Sequence, residues 1–327
     1  MNNKIHQGGA WYDTTGNRIQ AHGGSILKIK DTYYWYGENK ELTVPGSNIW
    51  QNGVNCYSSR DFTNWKFENT ILKSSDDPDN PLHPTRIMDR PHIIFNEATQ
   101  TYVMWMKLVG TKEEPHNWNY QYMGIATAKH ITDDFKLVNK IVPLGMSSGD
   151  FDLFVDDNQK AYLIFGKVHT EIIVADLTKD YLNVTGDFTS HLHFIGPPIA
   201  REAPAVFKVK DKYYLFTSGT TGYYPNPTLL AVSDNIHGPW YIAGNPIIDD
   251  LKKDSFNCQF SSVFHDTDTH QLVAIGDRWV PDQNATVEKS SWNINTSLSE
   301  YVWLPISFGN EGLPEVIWQD DWNMNDL

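Results

Sequence analysis

Three carboxylates, Asp89, Asp150 and Glu202, each stand just before a short apolar run that reads as a β-strand. If those strands radiate from one axis, their first residues converge and the acids meet. Carboxylates crowded around a narrow axis repel one another, and a structural ring would be made at lower cost from Ser or Asn. General acid–base catalysis profits from that crowding. Burial and a neighbouring negative charge raise a carboxyl pKa, so one acid stays protonated near neutral pH while its neighbour is ionised. Cleavage of a glycosidic bond needs such an acid. On this reading Glu202 protonates the glycosidic oxygen, and Asp150 tunes that pKa and holds the acid or the sugar in place.

The elements that must position these acids come from a repeat. A short strand, a polar turn and a second strand opening on an aromatic residue or Leu recur five times: 26–36, 92–105, 152–165, 205–216 and 262–275. Apolar residues flank each turn, the mark of a hairpin. The copies start roughly 50 to 70 residues apart, the spacing of propeller blades with about four strands each. Outer strands are legible at 54–58, 65–72, 123–128, 172–177, 229–233, 240–243 and 301–308. The expected fold is all-β: a five-bladed β-propeller, one domain over residues 1–327. Segments 8–20 and 315–322 are the candidates for closing the ring, one of them pairing with the opposite end of the chain. A β-sandwich or jelly roll also gives regular strands, but not five copies of one hairpin.

Composition agrees. Aromatic residues make up 13 %, with 12 Trp and 16 Tyr, as suits a strand-rich core and also stacking on the apolar face of a sugar ring. The formal charge of −14 repels nucleic acid and anionic membrane, and suits a neutral ligand such as a carbohydrate. No stretch approaches the roughly 18 apolar residues of a membrane-spanning helix. Cys56 and Cys258 lie far apart and are expected as buried free thiols. The first nine residues lack the apolar core of a signal peptide. The expected location is cytoplasmic, or secreted if a leader has been removed. Oligomeric state is not legible.

The stretches 21–38 (AHGGSILKIKDTYYWYGE), 57–68 (YSSRDFTNWKFE), 90–106, 149–165 (GDFDLFVDDNQKAYLIF), 202–207 (EAPAVF), 218–226 (SGTTGYYPN) and 276–279 (GDRW) resemble, in order, glycoside hydrolase family 43. The likeness is strongest to its exo-β-1,3-galactanase-like branch. The resemblance implies a five-bladed propeller and an inverting hydrolase. Most of the family uses a base Asp on blade one, a pKa-tuning Asp on blade three and an acid Glu on blade four. Asp150 matches the second and Glu202 the third. The blade-one position reads His22-Gly23-Gly24, without an acid. The galactanase branch also lacks that Asp and is thought to handle the water with a Gln on blade five, where Gln259 stands. Asp89 stands where the branch carries a sugar-binding Glu. An amide has almost no basicity, so Glu38, Asp89 and Asp277 are candidates for accepting the water's proton, directly or through a relay. His169-Thr170-Glu171 departs from the Asn and Thr often found there.

The resemblance assigns the Gly/Pro loop with Thr221, Gly222 and Asn226 to sugar binding; its bland reading is a turn. Trp279 is a candidate for stacking on a sugar and Arg278 for holding a carboxylate, against an Asp277–Arg278 structural pair. Tyr120, Trp118 and Trp50 lie in polar insertions, where an aromatic residue suggests a ligand; Tyr120 or Trp118 is expected near the terminal sugar. His22, near the axis, is a candidate substrate contact, with a metal role as the lesser reading. No metal or cofactor is expected. The expected activity is exo-acting, inverting release of galactose from β-1,3-galactan or galacto-oligosaccharides. A family 43 arabinofuranosidase, xylosidase or galactofuranosidase stays open beside it, as does a carbohydrate-binding propeller without catalysis.

Overall fold

Alternation of apolar and polar residues about short polar turns folds all five predicted hairpins, with partners such as Ile26 and Trp35, His92 and Trp105, and Ala205 and Phe216. The computed structural model of the chain describes residues 4–281 and 294–324. Strand β1 (Ile5–His6) precedes the blades. Blade one is β2 (His22–Ile29), β3 (Thr32–Glu38), β4 (Val54–Ser59) and β5 (Lys66–Leu72). Blade two is β6 (Ile87–Asn96), β7 (Thr101–Val109), β8 (Gln121–Ala128) and β9 (Lys136–Ile141). Blade three is β10 (Ser148–Val155), β11 (Ala161–Lys167), β12 (Glu171–Leu177) and β13 (Val184–His191). Blade four is β14 (Arg201–Val209), β15 (Lys212–Gly219), β16 (Leu229–Ser233) and β17 (Tyr241–Gly244). After β18 (Ile247–Ile248), blade five is β19 (Gln259–His265), β20 (Leu272–Arg278), β21 (Glu300–Phe308) and β22 (Pro314–Ile317), and β18 adds to its outer edge in parallel with β22. Strand β23 (Asp321–Trp322) ends the described chain. The five sheets form a five-bladed β-propeller.

Of the two segments expected to close the ring, 315–322 pairs with the opposite end of the chain through β23. Strands β1 and β23 pair antiparallel with each other, apart from the blades, and every blade is built from its own stretch of chain. Blades five and one are joined instead by a wedge of aromatic rings. Trp35 meets Trp303 at a ring separation of 4.6 Å, and Trp11, Phe62 and Trp65 pack around Trp303. Each indole in such a wedge removes roughly 150–250 Å² from water, worth up to about 4–6 kcal/mol by area. Four further apolar clusters fill the other gaps between neighbouring blades. At the hub, side chains bond the next inner strand: Ile93 N–H donates to the Tyr36 hydroxyl at 2.9 Å, Val206 N–H to Asp152 at 2.8 Å, and the Ser261 hydroxyl to Gly24 O at 2.9 Å. Cys56 and Cys258 are buried and free. No helix among the described residues is long and apolar enough to cross a membrane.

Candidate active site

The inner strands β2, β6, β10, β14 and β19 share one device. Each pairs with its second strand over its first one to three residues, then carries an extra residue before regular pairing resumes. Such a bulge bends the strand and re-aims its side chains. The residues paired just before the bulge are His22, Asp89, Ser148 and Glu202, opposite Glu38, Lys107, Lys167 and Ser218, and on β19 Gln259, opposite Asp277, stands one pair earlier, with Phe260 and Gly276 between it and the bulge. Asp150 is therefore not at the register position of Glu202 and Asp89, as the sequence suggested. Ser148 holds that place, and Asp150 sits inside the bulge, two residues on. Within the bulges Gly23, Arg90 and Ala203 have φ of 61°, 55° and 47°. Two of these are not glycine, a strain of the kind functional sites retain. Gly23 is needed for space as well: a Cβ there would lie 2.6 Å from Glu38 Oε1.

These bulges open on a cavity of about 690 Å³, within the range of small-ligand sites. Asp150, Glu202 and Gln259 line it together, with Glu38, Asp89, Thr221 and Trp279. Arg90, Lys107, Trp118, His169 and Tyr223 line it too. Of the aromatic pair expected near the sugar, Trp118 is on the wall and Tyr120 is not; Tyr120 projects from the adjoining turn, half exposed. His22 and Asp277 also lie off the wall. They are buried against each other, His22 Nδ1 to Asp277 Oδ1 at 2.9 Å, and Asp277 Oδ2 accepts Gly23 N–H at 2.9 Å. That pair supports the blade-one bulge, so neither residue is placed to touch substrate or receive a proton. Asn226 likewise works from behind: its side chain bonds Gly219 N–H at 2.6 Å and the Thr221 hydroxyl at 2.7 Å, holding the loop that presents Thr221 and Tyr223. Arg278 reaches the Phe256 carbonyl at 3.1 Å rather than a ligand carboxylate.

Charges alternate around the wall. Glu38 Oε2 lies 2.7 Å from Lys40 Nζ, which is 3.4 Å from Asp89 Oδ1. Asp89 Oδ2 lies 3.3 Å from Lys107 Nζ, which donates to Asp150 Oδ1 at 2.6 Å. Asp150 Oδ2 is 3.2 Å from the Arg90 guanidinium, and the Arg90 backbone N–H returns to Glu38 Oε1 at 2.8 Å. Three carboxylates and three cations thus close a ring. Burial alone would raise the Asp150 pKa, but Arg90 and Lys107 outweigh it and hold Asp150 well below the usual carboxylate range. Asp89 is lowered too, Lys107 and Lys40 overcoming its burial. Glu202 stands outside this pairing. Burial first, and the Asp150 charge second, push its pKa up to about 8. At neutral pH the site therefore holds a protonated carboxyl beside an ionised one.

Gln259 is fixed at both ends of its amide. Its oxygen accepts from the Arg90 guanidinium and from Trp279 Nε1 at 3.1 Å, and its nitrogen donates to the Ser218 hydroxyl at 2.7 Å and to Glu202 Oε1 at 3.3 Å. The cations were not among the residues singled out from sequence. A signal existed: Lys107 lies opposite Asp89 as Glu38 lies opposite His22, so the second strands of the hairpins supply the wall as much as the first. Tyr223 was hidden in a turn-like run; its ring packs 5.4 Å from Trp279 and 6.3 Å from Trp50. Among the described residues no three His, Cys, Asp or Glu side chains group as metal ligands.

Residues 18–288 match Glycosyl hydrolases family 43. No curated protein matches the chain. A solved β-1,3-galactosidase of family 43 superposes with a TM-score of 0.85 at 33 % identity, over 100 % of this chain and 64 % of its own. The chain thus spans less than two thirds of that protein. A second family 43 β-1,3-galactosidase, solved with galactodeoxynojirimycin, gives 0.83 at 29 % identity, over 98 % of this chain and 100 % of its own. An exo-β-1,3-galactanase from Phanerochaete chrysosporium, solved with galactose, gives 0.83 at 29 % identity, over 98 % and 68 %.

Proposed function

The chain belongs to glycoside hydrolase family 43, and from that premise we propose that it is an exo-acting, inverting hydrolase that releases terminal galactose from β-1,3-galactan or its oligosaccharides. The observation that carries this reading is the pairing in one cavity of Glu202, held protonated, with Asp150, held ionised. Glu202 donates its proton to the glycosidic oxygen as the bond to the anomeric carbon breaks. Asp150 keeps that proton on Glu202 until it is needed. Water adds to the anomeric carbon from the opposite face with inversion of configuration, and its proton passes, directly or through a second water, to Asp89, held ionised in the same wall. Trp118 and Trp279 offer ring surface to the apolar face of the sugar. The choice of galactose is supported by the solved β-1,3-galactosidases and the exo-β-1,3-galactanase, which share the fold along nearly all of this chain.

The test is hydrolysis of β-1,3-galactobiose beside the nitrophenyl glycosides of xylose, arabinofuranose and galactofuranose, with the first-formed anomer read by NMR. Release of galactose as the α-anomer supports the proposal. Faster cleavage of any of the three nitrophenyl glycosides moves the substrate, and a β-anomer first rejects inversion. Tight binding of galactobiose without turnover rejects catalysis altogether.

A further inference from the structure

Five of the six charged side chains in the ring face the cavity, and Lys40 does not. It is 1 % exposed, with its ammonium 2.7 Å from Glu38, 3.4 Å from Asp89 and 3.1 Å from the Trp50 carbonyl, over the Trp50 ring. Burying an ammonium is costly unless it is paired, so its place is set by the two carboxylates it serves. We propose that Lys40 is a positioning residue for substrate: it holds Glu38 and Asp89 ionised in the wall, as a pair of acceptors for sugar hydroxyls. The inference rests on the reading of the cavity as a sugar site.

The charge count gives the reason. With Lys40 the ring has three carboxylates and three cations; without it one negative charge is left buried and uncompensated. A buried carboxylate in that state takes up a proton. Asp89 keeps Lys107 and the Trp50 indole N–H, 2.7 Å away. Without Lys40, Glu38 keeps only the Arg90 backbone N–H, on Oε1, among its close partners, and Oε2 loses the ammonium 2.7 Å away. Burial already raises Glu38 to about 7, against the pull of Lys40. The other charged or titratable groups near this corner are Arg90, Lys107, Asp150, His22 and Tyr223. Glu38 is therefore where the proton goes, and a protonated Glu38 presents a donor where the sugar needs an acceptor.

The experiment compares Lys40→Met and Lys40→Arg with the wild type on β-1,3-galactobiose, measuring kcat, KM and thermal melting across about pH 5.5 to 8.5. Loss of one charged acceptor predicts a KM raised about tenfold in Lys40→Met above pH 7, where the wild-type Glu38 is ionised, and KM values that converge toward pH 5.5, with kcat within about threefold throughout. The wild-type KM should change as pH crosses about 7, where Glu38 titrates. That change should vanish in Lys40→Met, because Glu38 then stays protonated throughout. Lys40→Arg, which keeps the charge, should restore most of the affinity. If Lys40→Met does not fold, Lys40→Gln, still able to donate to the Trp50 carbonyl, takes its place. A wild-type KM at every pH in the charge-removing variant overturns the inference, as does a loss confined to the melting temperature. A wild type that releases no galactose overturns the sugar-site reading itself, a separate result.

Discussion

Gln259 Nε2 lies 3.3 Å from Glu202 Oε1, while the oxygen of the same amide is already engaged by Arg90 and by Trp279. The amide cannot rotate without breaking bonds at both ends. Its oxygen, facing two N–H donors, is poorly placed to take a proton from water. As placed, Gln259 is a support for the acid. Its N–H stabilises the ionised form of Glu202 and so partly opposes the upward push of burial and Asp150.

Removing that amide should move a pKa in a known direction. In Gln259→Ala the bond to Glu202 is lost, so Glu202 should hold its proton to higher pH. The alkaline limb of the kcat profile should shift upward relative to the wild type. Arg90 and Trp279 also lose their acceptor, and the disordered site should cost kcat on the order of 10²-fold. A limb that stays in place or moves down would separate Gln259 from Glu202.

Glu202→Gln keeps the shape of the side chain and removes its proton. It should lower kcat by roughly 10²- to 10⁴-fold with little change in galactose affinity or melting temperature. In the wild type the proton is present below about 8 and lost above it, so activity should fall as pH rises through about 8. Asp150 stays ionised far below neutrality and adds no acidic limb near pH 5. A wild-type profile rising steadily to pH 9 would assign the acid elsewhere.

The five hairpins were legible because their inner strands are buried on both faces and their turns are polar. Strands β9 and β13 were not, because their residues alternate with solvent or lie largely exposed, as in KLVNKI and VTGDFTSH, and leave little apolar signal. The pairing of β1 with β23 was unreadable in detail: each strand has two residues, and the closure beside them rests on packing among distant rings. Tryptophans such as Trp35 and Trp303 announce burial by composition but not which partners they meet.

At the site, convergence of Asp150 and Glu202 followed from placing first residues of strands on one axis. The bulge decided the rest. It shifted Asp150 two residues from the register of Glu202, and it let the facing strand contribute Lys107 and Glu38. His22 and Asp277 looked like wall residues because their neighbours are. In space they satisfy each other beneath the wall, a pairing across 255 residues that no local pattern shows.

Trp118 and Tyr120 allow a sharp comparison, being two residues apart with only one on the wall. Trp118→Ala removes an indole from the cavity wall, on a residue that is 37 % exposed, and should raise KM about tenfold. Tyr120→Ala should change KM by less than about twofold, as expected of an exposed side chain away from the ligand. Kinetics on β-1,3-galactobiose decides it, and the reverse order of effects would place the sugar on the outer side of this turn.

Asp152 predicts how stability, rather than activity, depends on pH. It lies at the hub outside the catalytic cavity, with Oδ1 accepting the Leu153 N–H and Oδ2 the Val206 N–H, both at 2.8 Å. Burial outweighs these two bonds and raises its pKa from 3.8 to about 7. The folded protein thus keeps a proton that the unfolded chain releases above 3.8. The associated stability is fully present below that pH and is lost as pH rises through about 7, by a few kcal/mol in order of magnitude. Asp150 acts with the opposite sign, its contribution present above the unfolded value and lost only in strong acid. Asp152→Asn cannot ionise, and it leaves one of the two N–H groups facing an amide NH₂, so it should be less stable than the wild type at pH 5. Because the wild type alone pays for ionisation on going to pH 8, the gap between them in urea unfolding should narrow there. A gap that is the same at both pH values would show that Asp152 is already ionised in the folded hub, and that the bonds from Leu153 and Val206 prevail over burial.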